Sequence, residues 1–184
     1  VFSSSAHVYG ISPRYLPTDE NHPLWLQNTY TTTKILGEQL CELYHANHGL
    51  SYTVLRLFNV YGQGQVLGYY IPDQIAKAKA GDFELQGANT TKDWIYAEDA
   101  ARAFVLALET PYVGAVNIGT GVETTLGFIA STIANIEGVS CTTYDTPNAT
   151  RMCADNTRAR KVLGWQPTKT IWEGIDAIYN LVTA

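Results

Sequence analysis

Thr29-Tyr30-Thr31-Thr32-Thr33-Lys34 opens an amphipathic segment that runs from about residue 28 to residue 48 and is stopped by Gly49. On a helix, residues four apart lie one above the other, so Tyr30 and Lys34 share a face. An ammonium beside a phenol favours the phenolate, and such a pair can move a proton near neutral pH. Most Tyr/Lys pairs at this spacing are simply solvated helix surface, so the flanks decide the reading. Before the segment, residues 1–4 read as a short apolar strand entering a serine-rich turn; after it, residues 52–58 read as a buried strand rich in Val and Leu. A strand, a helical crossover and a second strand predict a right-handed parallel pair. Open sheets of this kind bind ligands at the carboxyl ends of their strands. Ser5 and Asn59 both fall at such ends, and a hydroxyl there completes a proton-handling triad with Tyr30 and Lys34.

Four further blocks follow in order: Arg56-Leu57-Phe58-Asn59-Val60-Tyr61-Gly62; Lys92-Asp93-Trp94-Ile95-Tyr96 with Asp99; Asn117-Ile118-Gly119-Thr120-Gly121; and Leu163-Gly164-Trp165-Gln166-Pro167. With the Ser5 to Tyr30 spacing they cover nearly the whole chain. In this respect the sequence resembles the extended short-chain dehydrogenases/reductases, in their NAD-dependent epimerase/dehydratase branch (UDP-glucose 4-epimerase-like members). The resemblance implies an α/β fold, the carboxyl-terminal part of a Rossmann-like architecture with parallel strands, crossover helices and a small α/β substrate-binding region. It implies hydride abstraction and return at a sugar carbon through a keto intermediate, with NAD or NADP as carrier and a nucleotide sugar as substrate. Ser5, Tyr30 and Lys34 would be catalytic and would meet the cofactor, Phe58 would neighbour the nicotinamide, and Asn59, Tyr70, Gln86 and Lys92 would form the substrate wall. The helix over 28–48 would serve in a homodimer. Alternatives on the same fold are a keto-sugar reductase or dehydrogenase, and a truncated, non-catalytic binding domain.

Departures from the family pattern sharpen these expectations. Dehydratase members carry an acidic pair just after the hydroxyl residue of the first block, where Ala6-His7 stands here, so epimerisation or reduction is favoured over dehydration. His7 is a candidate second acid/base, although a turn histidine is more often merely hydrogen-bonded. Lys92 replaces the usual arginine, keeping the charge but losing the bidentate fork. Asp145 stands where another arginine is common, with Arg151 nearby to compensate. The Gly-x-x-Gly-x-x-Gly phosphate turn of dinucleotide-binding sheets does not occur in the sequence. Gly62-Gln63-Gly64 lacks the third glycine. The chain therefore reads as a portion lacking the amino-terminal dinucleotide-binding half, with little cofactor affinity or turnover expected from these residues alone.

Bulk properties agree. The 184 residues suit a single domain with a substantial core. Within it, about 1–62 and 91–119 would be the remainder of the Rossmann-like sheet, and about 63–90 and 120–184 the substrate-binding part. A net charge of −5 with no Lys/Arg run argues against nucleic-acid or membrane-surface partners. No apolar run reaches spanning length and no leader peptide is read. Cys41, Cys141 and Cys153 are odd in number and widely spaced, suiting free thiols and a cytoplasmic location rather than a disulfide framework or metal site. Arg56, inside a strand, predicts a carboxylate partner. Helices are expected from about Pro72 to Gly81 and over 97–109, 124–137, 156–163 and 171–184, with short strands over 83–86, 93–96, 115–118 and 141–144. Leu36, Leu40, Leu43 and Tyr44 form an apolar stripe on the first helix, and Ile171, Ile175, Ile178 and Val182 one on the last.

Overall fold

A computed structural model describes residues 1–182. The chain begins with strand β1 (Phe2–Ser5), a 3-10 turn (Ala6–Tyr9), helix α1 (Thr29–His48), strand β2 (Thr53–Leu57), strand β3 (Asn59–Tyr61) and helix α2 (Tyr70–Ala80). Strands β4 (Phe83–Gln86) and β5 (Thr91–Tyr96) lead to helix α3 (Ala97–Glu109) and strand β6 (Gly114–Ile118). Strand β7 (Glu123–Thr125), helix α4 (Leu126–Glu137), strand β8 (Cys141–Tyr144), helix α5 (Thr157–Leu163) and helix α6 (Ile171–Val182) complete it.

Strands β1, β2 and β6 form one parallel sheet in that order, with Ser5 opposite Leu57 and Leu57 opposite Ile118. A second sheet orders β3, β5 and β7; β3 runs parallel to β5, and β7 runs antiparallel. Strands β4 and β8 form a separate parallel pair. The fold is thus α/β and Rossmann-like, with parallel strands joined by crossover helices. The strand expected over 52–58 ends at Leu57. The Phe58 amide donates to the carbonyl of Ile118 at 2.9 Å, and Asn59 begins the second sheet. Phe58 is therefore the seam between sheets, a feature no local pattern encodes.

The local reasons for α1 are clear. The Asn28 side chain accepts from the Thr31 amide, and Gly49 closes the helix with φ 69° in the left-handed region. Its buried face is Thr31, Ile35 and Glu38 rather than the leucine stripe. Gly37 lets the helix sit directly on Phe2, since a Cβ there would lie 2.2 Å from the ring. Glu38 pairs with buried Arg56 at 2.6 Å and accepts from the Ser4 hydroxyl, which supplies the carboxylate expected for Arg56. The guanidinium also donates to the Tyr9 hydroxyl at 2.9 Å, and Tyr9 donates to Asn117 at 2.6 Å. Leu36, Leu40, Leu43 and Tyr44 are 50–55% exposed. Periodicity locates an apolar stripe but does not say what covers it.

One core gathers Leu55, Ile95, Val116, Ile118 and Trp165 around the alanine face of α3; a second gathers Tyr61, Ile71, Trp94, Ile129, Ile133 and Ile175. Asp99 ties the carboxyl-terminal segment to α3. It accepts from Arg102, from the Thr168 amide and hydroxyl and from the Lys169 amide, while Trp165 donates to its carbonyl. Helix α4 starts at Leu126 instead of 124, because Glu123–Thr125 extend as β7 against β5 and Thr125 caps the helix through the Phe128 amide. In α6, Ile175 is buried; the side chain of Val182 lies outside the described residues. Among the described residues no helix is long and apolar enough to cross a membrane.

Candidate active site

A cleft of about 390 Å³ opens at the carboxyl ends of β1 and β2. Ser5, at the end of β1, caps the 3-10 turn: its Oγ accepts from the His7 amide at 3.2 Å. Tyr30 is the second residue of α1, and the reciprocal bonds between Asn28 and Thr31 fix the turn that carries it. One turn further, Lys34 donates from Nζ to the Ser3 carbonyl at 2.9 Å and lies 5.6 Å from the Tyr30 ring centroid. The edge of the His7 ring meets Tyr30 with centroids 6.5 Å apart, and His7 Nδ1 is 3.4 Å from Ser5 Oγ. Hydroxyl, phenol, ammonium and imidazole thus converge on one rim.

Ser5, His7, Tyr30, Phe58, Asn59 and Tyr70 all line the cleft, as do Trp94 and Met152. Lys34 stands beside Tyr30 and is not itself part of the lining. Asn59 donates from Nδ2 to the Asp93 carbonyl at 3.1 Å. The Tyr70 hydroxyl is spent on the Leu126 carbonyl at 2.7 Å, and burial pushes its phenol well above the usual range. Tyr70 therefore offers the cleft its ring rather than its oxygen. Gln86 is not part of the cleft. Alternation along β4 turns Leu85 inward and leaves Gln86 exposed opposite Tyr144. Lys92, also outside the lining, is half-buried on β5, and burial lowers its ammonium's affinity for a proton. Burial first and the Lys92 charge second hold His7 below the usual histidine range, so its imidazole is neutral at pH 7.

Arg151 is committed elsewhere: its guanidinium grips Glu123, with Nε at 2.9 Å from Oε1. Of the lining residues that sequence reasoning did not single out, Trp94 lies inside a quoted block, and Met152 had no local signal. Met152 is delivered by a tertiary tie. Asp93, fully buried, accepts from the Thr120 amide and hydroxyl (both 2.7 Å), the Gly121 amide (2.9 Å) and the Ala154 amide (3.0 Å). Burial pushes this carboxyl up while the four donors pull it down, and burial dominates.

A hydroxyl, a phenol and an ammonium thus lie near the carboxyl end of a parallel strand, where open α/β sheets place their ligands. The profile of the NAD dependent epimerase/dehydratase family matches residues 1–119, and the chain belongs to that family. A putative UDP-glucose 4-epimerase of Methanocaldococcus jannaschii is 35% identical over 189 residues, covering 97% of this chain and 60% of that protein. The structure of a UDP-glucose 4-epimerase from Thermotoga maritima with UDP-glucose superposes with a TM-score of 0.87 at 27% identity, over 100% of this chain and 63% of that one. MoeE5, in complex with UDP-glucose and NAD, gives 0.85 at 25% identity, over 98% and 63%. The chain spans about three-fifths of the length of the relatives it matches.

The residues present fit the nicotinamide-ribose end of NAD. Lys34 spends one of its three N–H donors on Ser3 and keeps two. Tyr30 and Ser5 present oxygens at the same rim, and buried Phe58 offers an apolar surface between them and the wall.

Proposed function

We propose that this protein is an NAD-dependent nucleotide-sugar epimerase acting on a UDP-hexose. The reading is carried by the convergence of Ser5, Tyr30 and Lys34 at the end of β1. NAD, when bound, supplies a reversible hydride acceptor. The chain's own part is protonic and positional. Tyr30 takes the proton of the sugar hydroxyl and later returns it. The Lys34 ammonium, held at the ring by the Ser3 carbonyl, stabilises charge that builds on the phenolic oxygen and reaches the ribose. Ser5 holds the reacting oxygen by its hydroxyl. Asn59, Met152 and the rings of Trp94 and Tyr70, which also line the cleft, are the surfaces against which the sugar would rest. Ala6-His7 in place of an acidic pair favours return of the hydride over loss of water. The test is to incubate the full-length protein with UDP-glucose and NAD. UDP-galactose is expected to form without net NADH; stoichiometric NADH, or no product, overturns the reading.

The exposed stripe Leu36, Leu40, Leu43 and Tyr44 supports a homodimer through α1, because its i, i+4, i+7 and i+8 spacing makes a continuous apolar strip along one helix face. Leu40→Glu is expected to convert a dimer to a monomer in light scattering with an unchanged circular dichroism spectrum. A wild-type monomer sinks the assignment.

A further inference from the structure

None of the residues lining the cleft is Asp, Glu, Lys or Arg, and His7 is the one imidazole among them. Its hydrogen bonds constrain Ser5. Ser5 Oγ already accepts from the His7 amide, and His7 Nδ1 lies 3.4 Å from the same oxygen, while Nε2 has no partner among the described residues. A serine hydroxyl owns one proton. If that proton goes to Nδ1, none is left for the reacting sugar oxygen. If Nδ1–H donates to Oγ instead, the Ser5 proton is free to turn into the cleft and Nε2 carries a lone pair. From α1 the Tyr30 ring meets the imidazole edge-on, and from β5 the Lys92 charge acts on it through space. Both leave the imidazole without a carboxylate that would draw a second proton onto it.

We propose that His7 is a positioning residue: with substrate bound, its Nδ1–H donates to Ser5 Oγ and directs the Ser5 hydroxyl onto the reacting oxygen, while Nε2 accepts from a second hydroxyl of the sugar. This rests on the nucleotide-sugar reading above. It gives the imidazole two separable tasks, one felt in turnover and one in binding. The pH dependence follows. Protonation turns Nε2 from acceptor to donor, so KM rises as pH falls below the histidine range, with the Nδ1–H bond retained.

The test compares two near-isosteric variants of the full-length protein with UDP-glucose. His7→Asn places an amide near the Nδ1 position and is expected to raise KM more than it lowers kcat. His7→Gln places one near Nε2 and is expected to lower kcat more than it raises KM, each effect being roughly 3- to 10-fold for one hydrogen bond. His7→Ala is expected to show both losses. Equal effects in the Asn and Gln variants, or wild-type constants in both, overturn the proposal. Nitrogen-15 NMR of the His7 ring reads the same pairing without turnover. Adding UDP-glucose is expected to populate the Nδ1–H form, and Ser5→Ala is expected to abolish that preference. An Nε2–H form that persists with UDP-glucose, or one indifferent to Ser5→Ala, also overturns it. A protein that binds UDP-glucose with the expected tautomer but makes no UDP-galactose sinks the epimerase reading and leaves the His7–Ser5 pairing standing.

Discussion

Tyr30→Phe is expected to fold as the wild type and to lose about 10²- to 10⁴-fold in kcat, the range contributed by one well-placed acid/base. The substitution removes one oxygen. The ring that meets His7 edge-on and lies beside the Lys34 ammonium stays in place. Tyr30 is half exposed and its hydroxyl makes no hydrogen bond among the described residues, so stability has little to lose. KM for UDP-glucose is expected to move much less than kcat, because the hydroxyl acts when the proton is in flight. The decisive comparison is the initial rate of UDP-galactose formation beside a thermal melt of the same sample. Full activity in Tyr30→Phe removes Tyr30 from the mechanism.

Asp93→Ala is expected to cost about 3–5 kcal/mol, since it strands the buried Ala154 N–H together with the part-buried Thr120 and Gly121 N–H groups and the Thr120 hydroxyl, a buried donor being worth roughly 1–3 kcal/mol when left unpaired. At this chain length that lowers Tm by roughly 10 °C. Asp93→Asn is not a rescue. One carboxylate oxygen accepts from Thr120 twice, and the other from Gly121 and Ala154. An amide would turn an NH₂ toward two donors. The tie has a functional side as well. The Ala154 amide anchors the segment that delivers Met152 to the cleft, and the Asp93 carbonyl orients Asn59. Asp93→Asn is thus expected to show both a lower Tm in calorimetry and a raised KM. A wild-type Tm in both variants would mean that the stranded groups find water or other partners.

Much of the architecture was legible because its signals are local. The apolar runs on either side of an amphipathic helix and the stop at Gly49 all sit within a few residues of what they control. Tyr30 and Lys34 are related by helix geometry alone, and Ser5 by the end of a strand, so that part of the site could be assembled from spacing. What escaped depends on distant pairing. Strand β7 exists because Thr91 to Asp93 lie opposite it, and three residues carry no periodicity of their own. Met152 reaches the cleft because the amide of its near neighbour Ala154 donates to Asp93, some sixty residues away in sequence. The leucine stripe of α1 was visible as a stripe, yet the face turned to the sheet was chosen by Gly37 and by the Glu38–Arg56 pair. Gln86 lies apart from the cleft for a related reason: strand alternation leaves it exposed opposite Tyr144.

The seam at Phe58 has a mechanical consequence. Ser5 and Tyr30 belong to the leaf built on β1 and β2, whereas Asn59 and Trp94 belong to the leaf built on β3 and β5. A pocket spread across two leaves would ordinarily be a soft jaw whose gape drifts. Here the spine is packed: Ile95 of the second leaf is buried in one cluster with Leu55, Val116 and Ile118 of the first. Close-packed interiors resist shear, so the gape is set by the size of those side chains rather than by a flexible joint. If the cleft is a binding site, a ligand is expected to meet a slot already cut to width, with its binding energy going into orientation instead of closing the jaw.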